Sequence, residues 1–325
     1  MAITLVNQRR KEWIDALRGL AMFMVVFGHA LDVNPKPDYF LFTSPLRMPL
    51  FFAISAYLLN DGKPLKQFLI NLVRGFIVPW MILGMVRVVI MIPLKGGSYL
   101  WEGFLRLLTG EDLWFMPCYL IAVILHFIIR KYLKKDVWIV LASFVAFLLG
   151  LVLHQKGFLG KTMVNQALTV QSFFLIGYLF RRKESLFLQM RWASIALAGS
   201  LYLALFVLAT KVFPSTLIDI HLIKYYNIPL CLFLSYLGVW TLFSATAKAD
   251  FKSRTLSFIG QNTLVIYIWS GGTITILTKL FSLAGWTLPI NGWTALLLTV
   301  CTCLLCGISS VLLTNYVPWA VGRRK

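Results

Sequence analysis

Acidic side chains are scarce in this sequence. Twelve aspartates and glutamates stand against 31 lysines and arginines in 325 residues. Charge of either sign is also thin. It makes up 13% of the chain, and hydrophobic residues make up 59%, where an average soluble domain is nearer half apolar and a quarter charged. The polar stretches between apolar runs are all short, which excludes a sizeable soluble domain. The basic residues fall in small clusters between those runs, with no basic stripe interleaved with aromatics, so no nucleic-acid partner is expected. The five cysteines are odd in number and lie in apolar runs, so no disulfide framework is implied. Cys303 and Cys306 have CxxC spacing, but no second pair or neighbouring histidine completes a set of ligands. They are read as small polarizable packing residues, and no metal site is expected. Also missing are a Walker-type loop, a Gly-rich dinucleotide fingerprint, an HExxH helix and a GxSxG elbow. A nucleotide-driven pump, a zinc protease and a serine hydrolase each lose their marker. The first apolar run carries Asp15 and Arg18 and lacks a small-residue cleavage site, so no cleavable signal peptide is expected.

What is present is a series of long apolar runs, at about 13–31, 46–60, 70–93, 113–133, 137–154, 166–181, 192–213, 225–246, 255–281 and 292–321. At about 1.5 Å per residue most can cross a hydrocarbon core; the second and sixth are short for it. None alternates as a barrel strand must. The expected fold is an all-α polytopic membrane helix bundle of about ten transmembrane helices, a single membrane domain over residues 1–325. Lysine and arginine set its orientation. The richer segments hold Arg9, Arg10, Lys11; Lys63, Lys66, Arg74; Arg130, Lys131, Lys134, Lys135; Arg181, Arg182, Lys183, Arg191; Lys248, Lys252, Arg254; and Arg323, Arg324, Lys325. The poorer set holds Lys36; Lys95, Arg106; Lys156, Lys161; Lys211, Lys224; and Lys279. The alternation holds at every loop and places both termini in the cytoplasm. Trp13, Trp138, Trp192 and Trp319 fall near inner span ends, and Trp101, Trp114, Trp286 and Trp293 near outer ones, as an aromatic belt requires.

Charges inside a bilayer are costly and mark function by default. Arg18, Arg47 and Arg87 remain after the loops are subtracted, with Asp15 the one acid within a span. Asp15 and Arg18 are three residues apart and share a helix face. Arg18 and His29 are eleven apart, which at about 100° per residue is three turns and roughly 20°. The three therefore form one polar stripe, with about 16 Å between Arg18 and His29. The bland alternative has Asp15 and Arg18 snorkelling to water and His29 hydrogen-bonded near the outer surface. A histidine in a membrane cavity is suited to general-base work. Arg47 lies near the outer start of the second span, where it can reach the level of His29. Arg87 lies in the outer half of the third. Either can bind an anionic or carbonyl group or pair with Asp32, Asp38, Glu111 or Asp112. Arg74 and Lys66 sit at the inner start of the third span, where positive charge also obeys topology. His126 is read as packing, and His154 and His221 as loop or interface residues without ligand spacing.

The stretch Arg10-Lys11-Glu12-Trp13-Ile14-Asp15-Ala16-Leu17-Arg18-Gly19-Leu20, leading to Val25-Val26-Phe27-Gly28-His29, resembles the opening of the integral-membrane acyltransferase-3 family, whose mark is an arginine separated by ten residues from a histidine. Met48-Pro49-Leu50-Phe51-Phe52-Ala53-Ile54-Ser55-Ala56-Tyr57-Leu58-Leu59 is similar to its second-helix signature. Arg74 with Pro79-Trp80, then Leu113-Trp114-Phe115-Met116-Pro117, then Ile259-Gly260-Gln261-Asn262-Thr263-Leu264-Val265-Ile266-Tyr267 follow in family order. Two positions depart: Ala56 stands where the family often has glycine, and Trp269-Ser270 where a histidine often closes the late motif.

The resemblance implies an O-acyltransferase, with acyl-coenzyme A, usually acetyl-CoA, as donor co-substrate and no metal. The acceptor would be a hydroxyl of a cell-surface or lipid-linked saccharide. His29 would accept the hydroxyl proton or carry the acyl group. Arg18 would position the donor or orient the centre, with Asp15 fixing Arg18. Arg74 would hold the donor's phosphates, and Arg47, Arg87 and Trp114 complete the expected substrate-binding set. The expected location is the plasma or inner membrane, among membrane lipid. The charge stripe alone serves a proton-coupled transporter or flippase equally well, and a catalytically inactive scaffold is the third reading.

Overall fold

The structure is a computed structural model that describes residues 11–31, 38–159, 162–212, 218–286, 288–289 and 291–323. Arg9, Arg10, Asp32, Lys36, Lys161, Arg324 and Lys325, and the side chain of Asp38, lie outside the described residues. The elements are α1 (Glu12–Ala30), α2 (Asp38–Leu58), α3 (Leu65–Leu72), a π-helical turn (Val73–Ile77), α4 (Val78–Lys95), α5 (Tyr99–Thr109), α6 (Phe115–Tyr132), α7 (Asp136–Gln155), α8 (Val164–Thr169), α9 (Gln171–Arg182), α10 (Glu184–Gln189) and α11 (Trp192–Val212). A short hairpin, β1 (Ile218–Asp219) and β2 (Lys224–Tyr225), leads to α12 (Ile228–Lys248), α13 (Arg254–Gln261), α14 (Thr263–Leu283), α15 (Gly292–Tyr316) and a 3-10 turn (Pro318–Val321).

The chain is an all-α polytopic bundle, and among the described residues 8 helices are long and apolar enough to cross a membrane. Every apolar run of the sequence became helix. The two short ones are not among those 8: the second is α2, and the sixth is broken into α8 and α9. The bundle faces lipid with apolar side chains, as a bilayer demands. On α7, Trp138, Leu141, Val145, Leu148 and Val152 are exposed, while Ile139, Ser143, Ala146, Phe147 and Gly150 turn inward. α5 is an amphipathic addition that the apolar runs did not announce. It buries Tyr99, Gly103 and Leu107 against α4 and exposes Trp101, Leu105 and Leu108.

α1 is the helix the others surround. Of its most apolar stretch 67% is buried, against 28–39% in the other spans. It comes closest to α13. A Cβ on Gly19 would overlap the Leu256 carbonyl, and one on Gly260 would overlap the Asp15 carbonyl. Only glycine lets the two backbones touch there, the usual device for packing helices where lipid gives no hydrophobic drive. Gly177 of α9 meets the Ala53 carbonyl of α2 in the same way.

Side chains hydrogen-bond at the breaks in the helices, since a lipid-embedded backbone must be satisfied internally. At the α8–α9 break, Gln171 Nε2 donates to the Ala122 and Ala167 carbonyls at 3.0 and 3.1 Å. Its Oε1 lies 3.2 Å from His126 Nδ1, so His126 is a buried packing and hydrogen-bonding residue. At the α13–α14 break, Asn262 Oδ1 accepts from Ser310 Oγ at 2.7 Å and Arg323 Nη2 at 3.0 Å. The C-terminal carbonyls of α2 are met by two arginines that topology alone would have left in water. Arg130 donates to Ala56 O, and Arg181 to Tyr57 O and Leu59 O. Cys303 and Cys306 are buried, with Thr273 Oγ1 3.5 Å from Cys306 Sγ between α14 and α15.

The close α1–α13 crossing yields a direct test. Gly19→Ala is expected to lower stability by at least about 1–3 kcal/mol, the cost of overpacking. Gly271→Ala, with nothing within 4 Å of the added carbon, is expected to leave the thermal unfolding midpoint in detergent unchanged.

Candidate functional site

A cavity of about 180 Å³ opens at the end of α1 away from the chain termini. Five segments build it. The last turn of α1 brings Val25, Gly28 and His29, whose ring is exposed. α2 brings Ser44, Arg47 and Met48. Arg47 lies between Pro45 and Pro49, and a proline within a helix cannot donate to the carbonyl one turn back. Trp114 stands at the start of α6, and Tyr267 on α14. The hairpin between α11 and α12 closes the mouth with Ile218, Asp219, Ile220 and His221.

The hairpin is held in place from three sides. Ile218, Ile220 and Ile223 are buried beneath it. The Leu222 amide donates to Asp219 Oδ1 at 3.0 Å, and Gln166 Nε2 donates to the His221 carbonyl at 2.8 Å. The His221 ring stacks on the Trp114 indole, with centroids 5.2 Å apart and planes at 23°. Phe115, next in sequence, sets its edge against Tyr267 at 5.3 Å. Among the described residues, the cavity thus has an aromatic wall, two imidazoles and one charge of each sign, Arg47 and Asp219. Burial lowers the His221 pKa, and the Asp219 carboxylate opposes that shift. His221 and Asp219 carried no signal in the sequence, because only the fold brings the hairpin over His29.

His29, Arg47 and Trp114 therefore share one cavity, and the other expected site residues lie elsewhere. Asp15 is buried in the terminal half of α1, where Gln261 Nε2 donates to its Oδ2 at 3.5 Å. Arg18, half-buried, lies three turns below His29 on the same face and is not among the cavity's lining residues. Arg87 pairs with Asp112 at 3.5 Å, in a cluster that Tyr99 Oη and Arg106 join at 3.2 and 3.6 Å.

Arg74 faces a second cavity, of about 760 Å³, at the basic end of the bundle. It sits in the π-helical turn, five residues before Pro79, and such turns widen a helix locally, often at functional positions. Lys63 and Arg323 share the lining with Gln67, Asn71 and Trp319, and among the described residues no carboxylate does. Arg323 is anchored by Asn262 and by the Gln261 carbonyl at 3.3 Å. The Gln261–Asn262 corner so touches both this cavity, through Arg323, and the charged stripe of α1, through Asp15.

A family model described as an acyltransferase domain matches residues 11–314. No curated protein and no solved structure matches the chain.

The lowered pKa of His221 carries a pH dependence. A base whose folded pKa lies below its unfolded value of about 6.5 contributes stability that is present above that value. The contribution is lost as pH falls through the window beneath it. Acidification from pH 7 to 5 is expected to loosen the hairpin and change Trp114 fluorescence. The difference spectrum should vanish in His221→Gln.

Proposed function

This chain belongs to the integral-membrane acyltransferase-3 family, and from that premise we propose that it moves an acetyl group from acetyl-CoA to a saccharide hydroxyl at the cavity beneath the hairpin. One observation carries the reading. The exposed His29 ring lies in a cavity with Arg47 and Trp114 at one end of α1, while the cavity of Arg74, Lys63 and Arg323, with no acid among its described lining residues, lies at the basic end.

The chemistry then divides between the two ends. Arg74, Lys63 and Arg323 hold the phosphates of the coenzyme, guanidinium forks being suited to paired phosphate oxygens. The pantetheine arm runs along α1 past Arg18, which Asp15 keeps oriented. His29 takes the proton of the acceptor hydroxyl as that oxygen attacks the thioester carbonyl. The C–S bond breaks, an ester forms, and the coenzyme leaves as a thiol after receiving the proton. In the covalent variant a His29 nitrogen attacks first and the acceptor oxygen displaces it in a second step. Arg47 stabilises the oxyanion that develops on the carbonyl, and the Trp114 indole offers a flat apolar face to the sugar ring. With the basic end in the cytoplasm, the acceptor is a surface or lipid-linked glycan on the far side of the plasma or inner membrane.

The test is transfer of radiolabel from acetyl-CoA to membrane glycans. His29→Ala is expected to abolish transfer at matched expression and unchanged thermal stability. Arg74→Gln is expected to raise the donor KM by about tenfold, the loss of one charged hydrogen bond, with kcat largely kept. No label in any glycan pool with the unaltered protein, together with substrate movement by that protein without acetyl-CoA, would point to a transporter instead.

A further inference from the structure

A third cavity at the basic end takes no part in the mechanism above. It measures about 850 Å³ and lies where the chain leaves α2, between the C-terminal ends of α6 and α9. Arg130, Lys131, Lys134, Arg181 and Arg182 line it, with Asp61 the one acid among the lining residues. We propose that it is a second anion site, built to take a phosphate group.

The ion pairs around it leave positive charge over. Asp61 is spent on Arg130, accepting from Nη2 at 3.0 Å and Nε at 3.2 Å. Arg182 is paired with Asp136 at 3.2 Å. Among the described residues no carboxylate lies within ion-pair distance of Lys131, Lys134 or Arg181. Lys131 gives one N–H to the Lys63 carbonyl and Arg181 gives one nitrogen to Tyr57 O and Leu59 O. Both keep further donors for a ligand.

Two of these cations are fixed rather than dangling. The Arg130 side chain is 4% exposed, and its guanidinium lies over the Tyr178 ring at 5.1 Å. Arg130 and Arg181 line the same cavity and donate to adjacent carbonyls, Ala56 O and Tyr57 O, which sets two like charges side by side. Topology requires positive charge at this end of the bundle. It does not require a buried guanidinium beside a second one at a concave surface. A bound anion removes that repulsion, and a phosphate with several acceptor oxygens matches donors from three directions. Tyr132, an exposed lining ring, sits at the mouth as interfacial aromatics do. Phosphate can reach the cavity on a phospholipid headgroup or as a soluble anion, and basic pockets at the cytoplasmic ends of spans take the former.

The experiment follows thermal unfolding of the purified full-length protein in neutral detergent. It titrates phosphatidylglycerol, phosphatidylcholine of the same chains, and inorganic pyrophosphate. Saturable stabilisation by phosphatidylglycerol and not phosphatidylcholine is expected, weakened about tenfold or more in Lys131→Gln/Lys134→Gln. Should the double variant not fold, Lys134→Gln alone carries the test, since that side chain is exposed. Stabilisation by phosphatidylglycerol alone identifies a lipid headgroup. Equal stabilisation by pyrophosphate, lost in the same variants, identifies a soluble phosphate. Stabilisation that survives the lysine variants and disappears in Arg74→Gln belongs to the neighbouring cavity and overturns the proposal. So does the absence of saturable stabilisation by either anion.

Discussion

Everything in this molecule leans on the contact between α1 and α13. α1 carries Asp15, Arg18 and His29, groups that a helix facing lipid could hold only at high cost. They are tolerable because α1 is enclosed by other helices, and α13 can lie against it only because Gly19 and Gly260 remove the side chains between the backbones. That contact also brings Gln261 to Asp15. From the same corner Asn262 and Gln261 hold Arg323 beside the Arg74 cavity. A packing requirement at two glycines thus sets where one helix delivers its charge at both ends.

The two ends differ in chemistry as the two halves of an acyl transfer do. The Arg74 cavity at the basic end offers cations with no carboxylate among its described lining residues, suited to the coenzyme phosphates proposed for it. The other end balances Arg47 against Asp219 and adds two imidazoles and a Trp–His stack, suited to a neutral, hydroxyl-rich acceptor. The family assignment supplies the reaction class, and the separation along α1 is the article of structure that the acetyl-CoA and saccharide proposals explain.

Much of this was legible in the residues. Apolar runs announced every spanning helix, because bilayer thickness dictates their length. His29 and Arg47 stood out because charge within a span needs a reason, and both reach one cavity. Other features were hidden by the same logic. Arg130 and Arg181 satisfy the positive-inside pattern, so nothing in the sequence distinguished them from solvated loop charges; their bonds to the end of α2 come from packing. His221 sits in a connecting segment without ligand spacing, and only tertiary placement of the hairpin makes it part of the site. Arg87 kept two readings open in the sequence, and its contact with Asp112 belongs to a cluster assembled by α5, a helix too polar on one face to register as an apolar run. Arg18, aligned with His29 on the helix face, is nonetheless three turns away from the cavity, since a shared face does not mean a shared depth.

The central claim is that α1 joins a donor side to an acceptor side across the membrane. Sealed vesicles of known orientation test it directly, with radiolabelled acetyl-CoA supplied only at the face carrying Arg74 and glycan acceptor only at the face carrying His29. The account predicts that label crosses to the acceptor and that donor supplied at the His29 face gives none. Transfer that occurs only when donor and acceptor share the same face would contradict it.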